Sequence, residues 1–229
     1  MVAAAVKDRL IVFVKAPRPG AVKTRLARVI GAEAAAALYR VIAEEETRRT
    51  APRGDYDRVL AFDPPDARDE IAAWFPGEAL APQQGADLGA RMTNAIQSAF
   101  DTGARRVAVI GTDVPSCGHS HVSAALAALD EHDLALGPTH DGGYYLIALD
   151  RPRPELFTGI PWSTPSVLPA TAERAGVLGL TVLMLDPLLD VDTLDDVRGA
   201  WATLGPLLPA SLVASLEQAR HRLEEQRGG

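Results

Sequence analysis

The sequence predicts an α/β fold, a mostly parallel central sheet sandwiched between helices. Three observations predict it. Short apolar runs alternate with longer helical patterns along the whole chain, the first apolar run has no polar side, and neither a fixed-period repeat nor a low-complexity linker interrupts the alternation. Strand–helix alternation of this kind builds a sheet covered by helices. At 229 residues the chain is too short for two ordinary cores, so one domain spanning residues 1–229 is expected.

Residues 10–14 are continuously apolar and rich in β-branched side chains, as a strand covered on both faces should be. Further strands are expected at residues 59–62, 107–110, 134–136, 144–149 and 180–185. Helical patterns lie between them. Residues 32–49 are rich in Ala and Glu, and Leu88, Met92, Ile96 and Phe100 recur every four positions on one face. Residues 121–131 are rich in Ala and Leu, residues 195–204 carry Val197, Trp201 and Leu204, and residues 211–227 align Leu212, Leu216, Ala219 and Leu223. Gly228 and Gly229 read as a frayed end.

Composition excludes several classes. A net charge of −7 argues against a general binder of nucleic acid or anionic membrane. No stretch approaches the ~20 apolar residues of a membrane span. The N-terminal charges stand immediately before the apolar block, which then runs into Lys15 and two prolines rather than a cleavage site, so a cytoplasmic enzyme is expected. Cys117 is the sole cysteine, which excludes an intramolecular disulfide and makes it a small apolar filler.

Charge is concentrated at two poles. Residues 15–28 hold Lys15, Arg18, Lys23, Arg25 and Arg28 without one acid, directly after the first strand. A cationic loop leaving a buried strand and entering a helix can cradle polyphosphate. It is not a Walker A loop, because Val22 precedes Lys23 where glycine is required, and it has no dinucleotide fingerprint. The opposite pole, residues 186–196, holds five carboxylates and no cation. Thr193 should cap the next helix, with Asp195 and Asp196 in its first turn. Asp190 and Asp192 precede that cap in extended chain and point the same way. Like charges on one side repel unless a cation sits between them, which suggests metal ligation.

Asp113 is the third element. It follows the strand at residues 107–110, and acids at the carboxyl ends of strands line the crevice where open α/β sheets bind ligands. Hard oxygen ligands of this kind suit magnesium or manganese. The run Asp190-Val191-Asp192-Thr193 also matches the D-x-D-x-T pattern of haloacid-dehalogenase-type phosphatases. That motif comes early in its own family, whereas fewer than forty residues follow it here.

The blocks Phe13-Val14-Lys15-Ala16-Pro17-Arg18-Pro19-Gly20 with Lys23-Thr24-Arg25-Leu26, Gly111-Thr112-Asp113-Val114-Pro115, Gly137-Pro138 with Asp141-Gly142-Gly143-Tyr144-Tyr145, Pro161-Trp162-Ser163-Thr164 and Asp190-Val191-Asp192-Thr193 resemble one family. It is the bacterial rSAM/selenodomain-associated transferase 1 group, often labelled glycosyltransferases. That group resembles GT-A nucleotide-diphospho-sugar transferases, the 2-phospho-lactate and phosphoenolpyruvate guanylyltransferases and, more remotely, the molybdenum-cofactor nucleotidyltransferases. The resemblance implies a GT-A-like three-layer α/β/α sandwich. It departs from the superfamily in lacking a Gly-rich first loop and in having Gly111-Thr112-Asp113 where many glycosyltransferases carry Asp-x-Asp.

The expected function is a Mg2+- or Mn2+-dependent nucleotidyl transfer from a nucleoside triphosphate to a small phosphorylated or acidic acceptor. Lys15, Lys23 and Arg25 would neutralise the phosphates, with Arg91, in the segment from Gln84, touching base or phosphate. Asp113, Asp190 and Asp192 would hold the metal, and Lys23, Asp113 and Asp192 would carry the chemistry. The resemblance puts Asp141, Gly142, Gly143, Tyr144, Trp162 and Ser163 on the acceptor side, with Trp162 walling the pocket. Ser163 or Thr164 could instead cap a helix, and the Gly pair could serve a plain turn. The alternative is a glycosyltransferase using a nucleotide-diphosphate sugar, with Asp141 as base. A degenerate nucleotide-binding regulatory protein is the third reading. No nucleic-acid or membrane partner is expected, and a monomer or homodimer is.

Overall fold

The protein was analysed as a computed structural model that describes residues 7–228, with side chains to residue 225. Seven strands form one sheet: β1 (Asp8–Lys15), β2 (Tyr56–Asp63), β3 (Ala79–Pro82), β4 (Val107–Ile110), β5 (Leu134–Pro138), β6 (Tyr144–Leu149) and β7 (Val182–Met184). Their order is β3-β2-β1-β4-β6-β5-β7. Every pairing is parallel except those of β6, which runs antiparallel to both β4 and β5. The mostly parallel sandwich expected from the alternation is what the chain forms.

Alternate residues of β1 serve opposite faces, as the pleat requires. Leu10, Val12 and Val14 join a core with α3 (Arg68–Trp74) and α5 (His119–Ala128). Ile11 faces the other way, into a core with Met92 and Ile96 of α4 (Leu88–Asp101) and Ala175 of α6 (Val167–Val177). A third cluster lies beside the sheet. It joins α1 (Thr24–Ile30), α2 (Ala32–Arg49), α7 (Leu194–Gly199), α8 (Trp201–Leu204) and α9 (Ala210–Gly228) through Leu26, Leu38, Val197, Leu204 and Leu216.

The six strands expected are present, and the helix at residues 32–49 matches α2. The structure adds β3, a short edge strand ending in Pro82. Proline and brevity both suit an edge, where pairing with a further strand must stop. The helix expected across residues 195–204 is broken at Ala200 into α7 and α8. Val197 and Leu204 are buried while Trp201 stays 43% exposed, so one continuous apolar stripe does not form. Gly228 is the last residue of α9, and Gly229 lies outside the described residues. Among the described residues no helix is long and apolar enough to cross a membrane. Cys117 is fully buried as a core filler.

The order places β2 and β3 on one side of β1 and β4 on the other. Loops leaving the carboxyl ends of β1 and β4 therefore part in opposite directions and open a crevice between them.

Candidate active site

The loop from Lys15 to Lys23 leaves β1 at that crevice. Lys15 is exposed, and its backbone N–H donates to Tyr39 Oη at 2.8 Å. Arg18 is turned away, pairing with Glu70 at 3.0 Å and Asp66 at 3.5 Å. Lys23 stands at the N-cap of α1 with φ of 46°, in the left-handed region that L residues seldom occupy. Its side chain is only 2% exposed. The ammonium lies 2.5 Å from Asp113 Oδ1 and 3.1 Å from Asp192 Oδ1. Burial opposes its charge, but the two carboxylates outweigh burial and hold the Lys23 pKa above its ordinary value. Arg25 is exposed and approaches the other oxygen of Asp192 at 3.6 Å.

One backbone link brings the acids together. Asp113 follows β4, and its carbonyl accepts the N–H of Val191 at 2.9 Å. Val191 is fully buried, so its neighbours Asp190 and Asp192 both project to the opposite side, as extended chain dictates. The expected cap of the next helix forms. Thr193 Oγ1 accepts from Asp196 N–H, and the Asp196 carboxylate accepts from the Thr193 and Asp192 amides.

One premise is corrected by this geometry. The Asp pole is not free of cations, because Lys23, remote in sequence, supplies one to Asp113 and Asp192. Asp190 does not share that nitrogen. Burial, followed by the charge of Asp141, raises the Asp190 carboxyl to about 6, with Asp192 and Asp196 adding to the shift.

Sequence reasoning missed three supports beneath Asp113. Tyr39 of α2 accepts from Lys15 N–H and donates to Thr112 Oγ1 at 2.8 Å, and Thr112 donates onward to the Phe13 carbonyl at 3.1 Å. Seven residues along α2, Glu46 accepts the Val114 N–H at 3.0 Å. Glu46 is fully buried, and its second oxygen has no partner. Burial pushes this carboxyl well above the ordinary range, the Val114 bond opposing and Asp113 adding to the shift. The neighbours of Asp113 on both sides are thus held by one helix. A signal existed: Tyr39, Ile42 and Glu46 share a helical face whose apolar run ends in a carboxylate.

The other expected residues divide. Arg91 pairs with Asp63 at 3.1 Å, and Asp63 is the register partner of Lys15, so Arg91 borders the crevice from the β2 side. Asp141 Oδ1 accepts from Thr139 Oγ1 at 2.6 Å and from Gly143 N–H at 3.0 Å, tying its own turn. Gly142 has φ of 92°, and a Cβ there would collide with the Pro165 carbonyl. The chain itself fills the space beside Gly142. Tyr144 has a buried hydroxyl and stacks edge-on against Trp162 at 6.5 Å. Trp162 in turn occupies the place a side chain at Gly89 would need. Both belong to the α4-side core rather than to the Lys23 cluster. Ser163 is exposed with φ of 64°. Neither it nor Thr164 is the cap of α6; Ser166 holds that position.

Among the described residues no group of three or more His, Cys, Asp or Glu side chains converges to hold a metal. Magnesium sites built on substrate phosphates need only one or two protein carboxylates. Asp113 and Asp192, both touching one nitrogen, are placed to supply two.

A sheet of this order with a carboxylate crevice between β1 and β4 is the GT-A-like architecture of nucleotide-diphospho-sugar transferases and nucleotidyltransferases. The chain belongs to the family described as "Uncharacterized protein conserved in bacteria (DUF2064)", which matches residues 46–164. It is 36% identical to a protein from Desulfovibrio desulfuricans G20 provisionally described as a nucleotide-diphospho-sugar transferase. That match has a TM-score of 0.84 and covers 96% of this chain and 98% of the other. The fold is also that of a CMP:2-keto-3-deoxy-manno-octonic acid synthetase complexed with CTP, at 14% identity, TM-score 0.55, and 88% and 100% coverage. A 4-diphosphocytidyl-2C-methyl-D-erythritol synthase from Anaerococcus prevotii DSM 20548 shares it at 11% identity, TM-score 0.55, and 87% and 99% coverage. No curated protein matches the sequence.

Proposed function

We propose that this chain is a one-domain, nucleotide-binding transferase that moves a nucleotidyl group from a nucleoside triphosphate to a small phosphorylated or acidic acceptor. The observation that carries the reading is the meeting of Lys23, Arg25, Asp113 and Asp192 at the crevice between β1 and β4. The transferase class is supported by the 36% identical relative, and nucleoside triphosphate use by the synthetase complexed with CTP. From its motif blocks we also place the chain in the rSAM/selenodomain-associated transferase 1 group.

In this reaction an acceptor oxygen forms a bond to the α-phosphorus, the bond from that phosphorus to the bridging oxygen breaks, and pyrophosphate leaves. An anionic acceptor oxygen has no proton to lose, so no protein base or nucleophile is required. Asp113 and Asp192 would hold Mg2+ or Mn2+, which when bound neutralises phosphate charge and orients the reacting oxygens. Lys15 and Arg25, both exposed, are free to face the leaving phosphates. Arg91, bordering the same crevice, would touch the base or a phosphate.

The provisional description of the Desulfovibrio relative favours a second reading, glycosyl transfer from a nucleotide-diphosphate sugar. There the acceptor hydroxyl needs a base, for which Asp141 is the candidate, with the turn at Gly142 and Gly143 and the Trp162-Ser163 segment beside it. Thermal melting with CTP, GTP, UTP, UDP-glucose and GDP-mannose, with and without Mg2+, tests both. A donor at a hundred times its Kd adds about 2.7 kcal/mol of stability, which at this chain length is a rise of roughly 5–10 °C. A rise with triphosphates supports nucleotidyl transfer, and one confined to the sugar nucleotides supports the second reading. No Mg2+-dependent rise with any of them would overturn both.

A further inference from the structure

Lys23 presents a geometry that phosphate binding alone does not require. A lysine waiting for phosphate would be expected to be exposed, as Lys15 and Arg25 are. Lys23 instead has a side chain 2% exposed, while its partners Asp113 and Asp192 are 53% and 36% exposed. The two carboxylates are therefore open to solvent on their outer sides and neutralised from beneath. We infer that the Lys23 ammonium is the resident cation of this carboxylate pair, keeping its affinity for a free divalent ion low so that the metal enters only as its polyphosphate complex.

The inference rests on the metal-triphosphate reading and concerns the order in which that site fills. Two carboxylates, the Lys23 ammonium and the Arg25 guanidinium 3.6 Å from Asp192 form a group without net charge, and a fixed positive charge a few ångströms from an incoming dication opposes it strongly in a partly buried site. A triphosphate changes that balance. Its oxygens offer the ammonium a new set of acceptors, and its charge accompanies the metal rather than opposing it. Lys23 then serves the donor's phosphates, the role its sequence position suggested, and the carboxylates are released to the ion. Its left-handed backbone at the start of α1 puts it where the cationic loop and both carboxylates meet.

The test is a Mn2+ titration followed by electron paramagnetic resonance, on wild type and Lys23→Met, each confirmed as folded by circular dichroism. Wild type should bind Mn2+ alone weakly, and Lys23→Met should bind it at least about tenfold tighter, the equivalent of ~1.4 kcal/mol. Adding Asp113→Asn to Lys23→Met should abolish the gain. Equal or weaker Mn2+ binding by Lys23→Met overturns the inference, since Lys23 would then be a brace for the carboxylates. If Lys23→Met does not fold, wild type carries the test through the Nζ resonance of Lys23. Mg2+ alone should leave that resonance in place, and Mg2+ with CTP or GTP should shift it. A shift with Mg2+ alone at the same concentrations overturns the inference. The two readings fail separately. If wild type binds Mn2+ tightly without triphosphate and also binds the triphosphate, the function stands and the inference falls. If Lys23→Met gains Mn2+ affinity while no triphosphate binds wild type, the resident cation stands and the function falls.

Discussion

Asp190 shows how one carboxylate can belong to a site and yet cost the fold stability. An isolated aspartate titrates near 3.8, whereas burial and the neighbouring Asp141, Asp192 and Asp196 raise Asp190 to about 6. Between those values the folded chain holds a proton that the unfolded chain has released, so stability falls as pH rises through this window. Above pH 6 the cost is fully present, and below pH 3.8 it vanishes. Asp190→Asn should therefore raise the melting temperature at pH 7.5 and leave it unchanged near pH 4. Differential scanning fluorimetry at the two pH values checks this, and an equal shift at both would mean the charge is not the cause. The placement of Asp190 and Asp192 on one side was legible from the alternation around Val191. The counter-charge of Asp192 was not, because Lys23 is separated from it by most of the chain and comes near only through the tertiary fold.

At the scale of elements, α2 acts as a clamp on the segment that carries Asp113. Tyr39 holds Thr112 and Glu46 holds Val114, so the backbone on either side of Asp113 is fixed to one rigid helix. Glu46→Leu leaves the buried Val114 N–H unpaired and should cost about 1–3 kcal/mol in urea denaturation. Glu46→Gln keeps an acceptor for that amide and removes the cost of ionising a buried acid, so at pH 7.5 it should be at least as stable as wild type. Tyr39→Phe strips the Lys15 N–H of its partner and should cost a similar ~1–3 kcal/mol. A Glu46→Gln variant as damaged as Glu46→Leu would show that an ionised carboxylate, not an acceptor, is needed there. The Ala- and Glu-rich composition of residues 32–49 made α2 readable to the residue. Pattern could not reveal β3, four residues with two half-buried neighbours between exposed ends and no alternation, nor the break at Ala200, where Val197 and Leu204 are buried and Trp201 is not.

For the whole molecule, the decisive fact is that the site draws on both ends of the chain. The cationic loop follows β1, Asp113 follows β4, and Asp192 precedes α7. Each part stood out in the sequence by its charge, while the strand order and the Val191–Asp113 link join them. The third core cluster supports two of these parts together: Leu26 and Ile30 of α1 lie in it with Val191, Val197 and the α9 residues Leu212, Leu216 and Ala219. Arg222 of α9 also donates to the Val29 carbonyl at 3.1 Å. Helix α9 is thus a buttress for the Lys23–Asp192 contact. Leu216→Ala should cost about 2–5 kcal/mol, the usual range for a buried leucine, and should also weaken triphosphate binding. Ile96→Ala, in the separate α4-side core, should cost a similar amount of stability. Its effect on triphosphate affinity should be smaller, because that core supports neither α1 nor the Asp192 segment and reaches the crevice only through Arg91 of α4. Urea denaturation and calorimetric titration of both variants with CTP and GTP at fixed Mg2+ separate local support from general destabilisation. If both substitutions weaken binding equally, α9 supports the site only as it supports the rest of the fold.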